Sequence, residues 1–148
     1  MPTDSFMQAA FAQAQNAGIA GEVPIGCVIV HEGKVIAQAR NRVIADRDPT
    51  AHAEMLAIRQ ATLAVGNERL EDCDLYVTLE PCTMCAAAIA LARIRRLYYG
   101  AADPKTGAIE NGVRYFSAAT CLHRPETYGG IGAREAGNLL QEFFRARR

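Results

Sequence analysis

The chain has 148 residues, with 16 basic and 16 acidic side chains and no net charge; half of its residues are hydrophobic and 22% are charged. This is ordinary usage for a folded protein of one domain over 1–148, and it argues against a disordered chain or a general nucleic-acid binder held by bulk positive charge. No apolar run approaches the ~20 residues of a membrane span, and residues 1–18 lack the basic start and apolar centre of an export signal, so a cytoplasmic protein is expected.

A first helix is predicted from a cap at Thr3 or Asp4 to about residue 17, with Phe6, Ala10, Phe11 and Ala14 at helical spacing and Gly18 ending it. Segments 23–30 and 35–40 are rich in β-branched residues and flank His31-Glu32-Gly33-Lys34, a turn of hairpin length, which predicts an antiparallel pair. His31 on that turn is expected at the surface rather than on a ligand. A polar connection over 41–49 leads to a helix over about 51–65, closed by Gly66-Asn67, with Met55, Leu56, Ile58, Leu63 and Val65 as its buried side. A strand over 75–79 then delivers Pro81, suited to the first position of an alanine-rich helix that ends near Arg93-Ile94-Arg95-Arg96, where cations favour a helix C-terminus. Another strand covers 97–99. Residues 113–131 hold no clean period, and a short strand is placed near 127–131. The last helix, about 133–147, carries Leu139, Leu140, Phe143 and Phe144 at core-like spacing. The alternation predicts an α/β fold, a sheet covered by helices on both faces, with the strands after the hairpin running parallel.

The chemistry concentrates at Cys82 and Cys85. Three apart on a helix they share one face, and the free amides and dipole of that first turn favour thiolates, the form that binds metal. Upstream stand His52 and Glu54, two apart, which look at one centre only from an opening turn; Pro49 with Asp48 or Thr50 as cap supplies such a turn. One imidazole and two thiolates make three ligands where zinc takes four, so an acid nearby that is not a ligand describes a catalytic zinc with room for a water. A closed structural site needs a fourth protein ligand, and His31, Cys27, Cys73, Cys121 and His123 have no paired spacing. Five scattered cysteines without an export signal also argue against a disulfide framework, and Cys27, inside an apolar run, reads as a buried, inert thiol.

His52-x-Glu54 followed by Pro81-Cys82-x-x-Cys85 resembles the signature of the zinc nucleobase deaminases. Glu22-Val23-Pro24-Ile25-Gly26, Asn41-Arg42, Asp48-Pro49-Thr50-Ala51 ahead of the histidine, residues 75–85, residues 103–108 and Phe143-Phe144 are similar to the bacterial tRNA-specific adenosine deaminase family. The resemblance implies a three-layer α/β/α cytidine-deaminase-like fold with a five-stranded mixed sheet, and Zn2+ on His52, Cys82 and Cys85. It implies Glu54 as the catalytic proton carrier, backbone amides near residues 80–82 against the developing oxyanion, and hydrolytic deamination of the wobble adenosine in a tRNA anticodon stem-loop. Asn41, Asp103, Lys105, His123 and Phe144 become its substrate-binding residues, Phe144 by stacking on a base, and a homodimer is implied. Ordinary turn chemistry for Asn41, Asp103 and Lys105, and core packing for the aromatic pair, stay open as alternatives. The chain departs from the family pattern at Leu122-His123-Arg124-Pro125, where the second of two paired histidines is Arg124, and over 126–130.

Charge distribution bears on the substrate. Residues 1–80 hold 6 basic and 11 acidic side chains, a net of −5, and residues 81–148 hold 10 and 5, a net of +5; 14 of the 16 basic residues are arginine. Guanidinium suits phosphate contact, which favours RNA over a deaminase of free guanine, cytosine or cytidine. Those free-base and nucleoside enzymes, which share the zinc motif, and a non-catalytic zinc-stabilised binding module are the alternatives.

Overall fold

The computed structural model describes residues 2–147, and side chains from Ser5 onward. The elements are α1 (Pro2–Ile19), β1 (Gly26–His31), β2 (Lys34–Arg40), α2 (Ala53–Val65), β3 (Cys73–Leu79), α3 (Thr83–Leu91), β4 (Arg96–Ala101), a 3-10 turn (Tyr115–Ser117), β5 (Glu126–Tyr128) and α4 (Ala133–Arg145). Helix α1 begins at Pro2, before the expected caps Thr3 and Asp4, whose side chains lie outside the described residues. The five-stranded mixed sheet has the order β2-β1-β3-β4-β5. Strand β1 runs antiparallel to β2 and β3, while β4 runs parallel to β3 and β5 parallel to β4. The hairpin turns through Glu32 (φ 51°) and Gly33 (φ 75°), the two positive-φ positions of the turn type that matches strand twist.

Alternation along the strands makes three layers, because successive side chains leave opposite faces. Cys27, Ile29, Leu75, Val77, Leu97 and Tyr99 pack with the alanines of α2 and with Ile89 of α3. Val28, Val30 and Tyr76 pack on the other side with Met7, Ala10 and Phe11 of α1 and Ala136 of α4. Helix α1 crosses β1 so closely that a Cβ at Gly26 would lie 2.0 Å from the Ala10 carbonyl oxygen, which restricts that position to glycine.

Helix α2 corrects one expectation. Its fully buried stripe is Ala53, Glu54, Ala57 and Ala61; of the expected residues Leu56 and Ile58 pack against the core half-buried, while Leu63 is 85% exposed and Val65 is also at the surface. Alanines four apart form a flat row on one side of a helix, so its backbone lies close on β1 and β2 and bulkier side chains are displaced to the flanks. Helix α3 ends at Leu91, before the arginines: Arg93 takes φ 61°, and its guanidinium reaches back to donate to the Ala90 carbonyl at 2.9 Å. The last strand, Glu126–Tyr128, starts a residue before the predicted one and stops sooner. All the segments that build the site emerge at one end of the sheet: the approach to β1, the exit of β2 at Arg40, and the ends of β3 and β4.

Candidate metal centre and its cleft

Two helix N-termini face each other at that sheet end, and each presents a donor at its cap. His52 is the N-cap of α2 (φ −75°, ψ 151°) and Cys82 that of α3 (φ −74°, ψ 176°), both extended. The expected caps before α2 do a different job: the Asp48 carboxylate accepts from the Thr50 amide at 2.8 Å and the Thr50 hydroxyl at 2.7 Å, shaping the turn that leads into His52. The first amide of α2, at Ala53, is taken by Asn41 Oδ1 at 2.9 Å, a cap supplied across the fold from the end of β2.

His52 Nδ1 lies 3.6 Å from Cys82 Sγ and 3.6 Å from Cys85 Sγ. A tetrahedral ion with bonds of about 2.0–2.1 Å to nitrogen and about 2.3 Å to sulfur has N···S edges of about 3.6 Å, so the donors fit zinc by type and by spacing. No fourth histidine, cysteine or carboxylate joins this cluster among the described residues. Contact with Cys85 and with His52 draws the Cys82 thiol down to about 4. Its neighbour Cys85 is driven up by Cys82 and by burial.

Glu54, one helical residue past Ala53, points into the same centre and is 4% exposed. Its Oε1 is the one fully buried side-chain oxygen or nitrogen without a hydrogen-bond partner among the described residues. Burial foremost, with the charge of Cys82, raises its carboxyl to about 7. An orphaned buried acid is costly unless something else occupies its lone pair, so this oxygen marks where a water or substrate proton belongs. Beneath it Cys27 is fully buried and its thiol is pushed well up by desolvation and by Glu54, the state of an inert packing cysteine.

A cleft of about 750 Å³ reaches the cluster at His52. It brings together four of the five predicted substrate residues: Asn41, Asp103, Lys105 and Phe144 all line it, as His52 does. Asn41 has committed its carbonyl oxygen to Ala53, which leaves its amide nitrogen for the cleft. Asp103 spends its carboxylate on its own turn, accepting from the Lys105 amide at 3.0 Å and from the Thr106 amide (3.0 Å) and hydroxyl (2.6 Å). Phe144 is 48% exposed and meets Phe143 edge-on at 5.3 Å, so this pair borders the cleft instead of filling the core. His123 is not brought to this cleft: its Nε2 sits 2.7 Å from the Ile94 carbonyl oxygen, just ahead of β4 and away from the metal end. Glu80 donates its amide to the Ala101 carbonyl at 2.9 Å and Pro81 has no N–H, which removes both from the expected oxyanion-holding stretch.

Sequence reasoning missed Val43, Ile44, Leu140 and Arg147, which also border the cleft. Arg147 lies over the Phe143 ring at 3.7 Å, a cation–π contact. Only their spacing from Asn41 and Phe144 hinted at them. Glu22 and Glu80, buried beside the cleft, fall in stretches that resemble the family, but no signal in the sequence assigned either a role.

The comparisons agree with this geometry. Residues 2–101 match the family model described as the cytidine and deoxycytidylate deaminase zinc-binding region. The chain is 57% identical over 143 residues to the tRNA-specific adenosine deaminase of Agrobacterium fabrum, covering 97% of this chain and 94% of that one. It is 45% identical to the protein of the same name from Rickettsia bellii, over 94% of this chain and 97% of that one. A solved structure from work on A-to-I editing by tRNA:A34 deaminases at the wobble position superposes with a TM-score of 0.91 at 57% identity, covering 92% of this chain and 99% of the other.

Proposed function

The chain belongs to the cytidine and deoxycytidylate deaminase zinc-binding family, and on that premise we propose that it is a zinc-dependent hydrolase converting the wobble adenosine of a tRNA anticodon loop to inosine. The observation that carries the chemistry is the unpartnered oxygen of Glu54 beside three convergent metal donors, with no fourth among the described residues. When bound there, zinc supplies a Lewis acid that lowers the pKa of a coordinated water to about 7.

His52, Cys82 and Cys85 would hold the ion, and His52 also lines the cleft through which a substrate would reach it. Glu54 takes one proton from the attacking water on its carboxylate and passes it to N1 of the purine, then takes the second proton from the oxygen now on carbon 6 and delivers it to the departing amine as the C6–N bond breaks, which returns Glu54 to its carboxylate form. Carbon 6 thereby exchanges its amino group for oxygen and ammonia leaves. The Asn41 side-chain nitrogen is a donor to the nucleoside, Phe144 offers a ring for stacking, and Lys105 is an exposed cation for the RNA backbone. His123 belongs to the same proposal only as a contact outside this cleft.

The reading extends to a cytoplasmic homodimer. No described helix is long and apolar enough to cross a membrane, and large apolar side chains at Leu91 and Leu122 stand 72% and 82% exposed, surface that a second copy would cover. Sedimentation at micromolar concentration should give twice the chain mass. Incubation of the zinc-loaded protein with an anticodon stem-loop, adenosine, guanine or cytosine should release ammonia from the stem-loop. Release from guanine alone overturns the RNA reading.

A further inference from the structure

Glu22 and Glu80 are two buried carboxylates, each 2% exposed, with no cation at ion-pair distance from either among the described residues. Both are occupied by backbone amides. Glu22 accepts from the amides of Ile44 (3.2 Å) and Ala45 (2.9 Å). Glu80 accepts from the amides of Asp103 (2.8 Å), Ile109 (2.9 Å), Glu110 (3.0 Å) and Asn111 (3.0 Å), and from the Asn111 side chain at 2.7 Å. The loop around Glu80 wraps it so tightly that a Cβ at Gly107 would lie 2.4 Å from its carboxyl carbon.

These are the two loops that flank the cleft. Val43 and Ile44 border it on one side, and residues 102–106 on another. Each is irregular backbone that would leave amides unpaired if its carboxylate were removed, and a buried charge without a cation persists only when its hydrogen bonds are this complete. The second loop is also tied to the metal-bearing turn, since the Ala108 amide donates to the Pro81 carbonyl at 2.9 Å. We propose that Glu22 and Glu80 are positioning residues, a pair of internal anions that set the spacing of the cleft's two loops and so decide where the target base sits relative to the metal. The proposal rests on the deaminase reading for its substrate alone.

The test uses Glu22→Gln and Glu80→Gln in the full zinc-loaded chain, where an amide replaces one acceptor by a donor aimed at other donors. Amide hydrogen exchange should quicken at 44–45 in the first variant and at 103 and 109–111 in the second, with the rest of the chain as in the parent. Both should bind one zinc per chain, and KM for the anticodon stem-loop should rise on the order of tenfold, more than kcat changes, as expected when loops that hold the substrate are no longer kept in place. Asp74→Asn is the control: it removes a carboxylate ion-paired with Arg95 at 3.0 Å at the far end of β3, and should leave KM and loop exchange unmoved. If Glu80→Gln does not fold, Asn111→Ala removes one donor from the same carboxylate and should raise KM to a smaller extent. Parental KM values, uniform quickening of exchange, or an equal KM rise in Asp74→Asn would overturn the proposal. A parent chain inactive on the stem-loop overturns the deaminase reading instead, and the exchange pattern then decides the anchoring by itself.

Discussion

At the residue scale, a buried acid and three candidate metal donors share a centre a few ångströms wide, and substitutions there separate binding from chemistry. Glu54→Gln keeps volume and removes the acid, so zinc content should stay near the parent value while kcat falls by roughly 10²–10⁴-fold, the range for a lost general acid–base. Stem-loop turnover with inosine quantified by digestion and chromatography checks it. His52→Ala removes one of three donors, and metal analysis after dialysis should show a large fall in zinc. Both residues were legible in the sequence because metal chemistry demands particular side chains at short spacings, and His52, Glu54, Cys82 and Cys85 occur as two such local clusters. Glu22 and Glu80 were not legible, because a carboxylate that binds amides 22 or more residues away leaves no local pattern.

At the element scale the instructive case is α2. Helical period was plain from the sequence, but which stripe faced the sheet was not, since the alanines at 53, 57 and 61 compete with larger apolar residues on neighbouring stripes. The close approach of the helix decides it. Ala57→Leu should therefore cost about 1–3 kcal/mol of stability through overpacking, whereas Leu63→Ser, at an exposed position, should stay within about 0.5 kcal/mol. Urea denaturation of the two variants makes the comparison. The reverse ranking would place the larger residues in the core. Helix α4 teaches the same lesson: Leu140, Phe143 and Phe144 have core-like spacing, yet border a cleft, because Ala136 alone of that helix is buried.

At the scale of the whole molecule, charge is balanced overall but not along the chain, and the excess of arginine lies in the second half. Arg147, with Lys105, brings positive charge of that half to the cleft, where the two carboxylates that line it, Glu22 and Asp103, accept from backbone amides. Deamination of the stem-loop should accordingly lose kcat/KM steeply as salt is raised, with a logarithmic slope of about −0.7 per phosphate contact for a single strand. A parallel titration of Lys105→Ala should show a shallower slope. Equal slopes would take Lys105 out of the RNA contact.

The sequence alone determined the candidate metal donors, the acid beside them, the strand and helix order and a sheet covered on both faces, because those follow from donor chemistry and from periods of two and 3.6 residues that are local to the chain. Only the tertiary structure decided which helix stripe is buried, that Asn41 caps α2, that His123 sits on the Ile94 carbonyl away from the cleft, and that two anions hold the loops. Each of these is a contact between distant segments, and its partner is chosen by how closely backbone can approach backbone, a quantity no local run of residues contains.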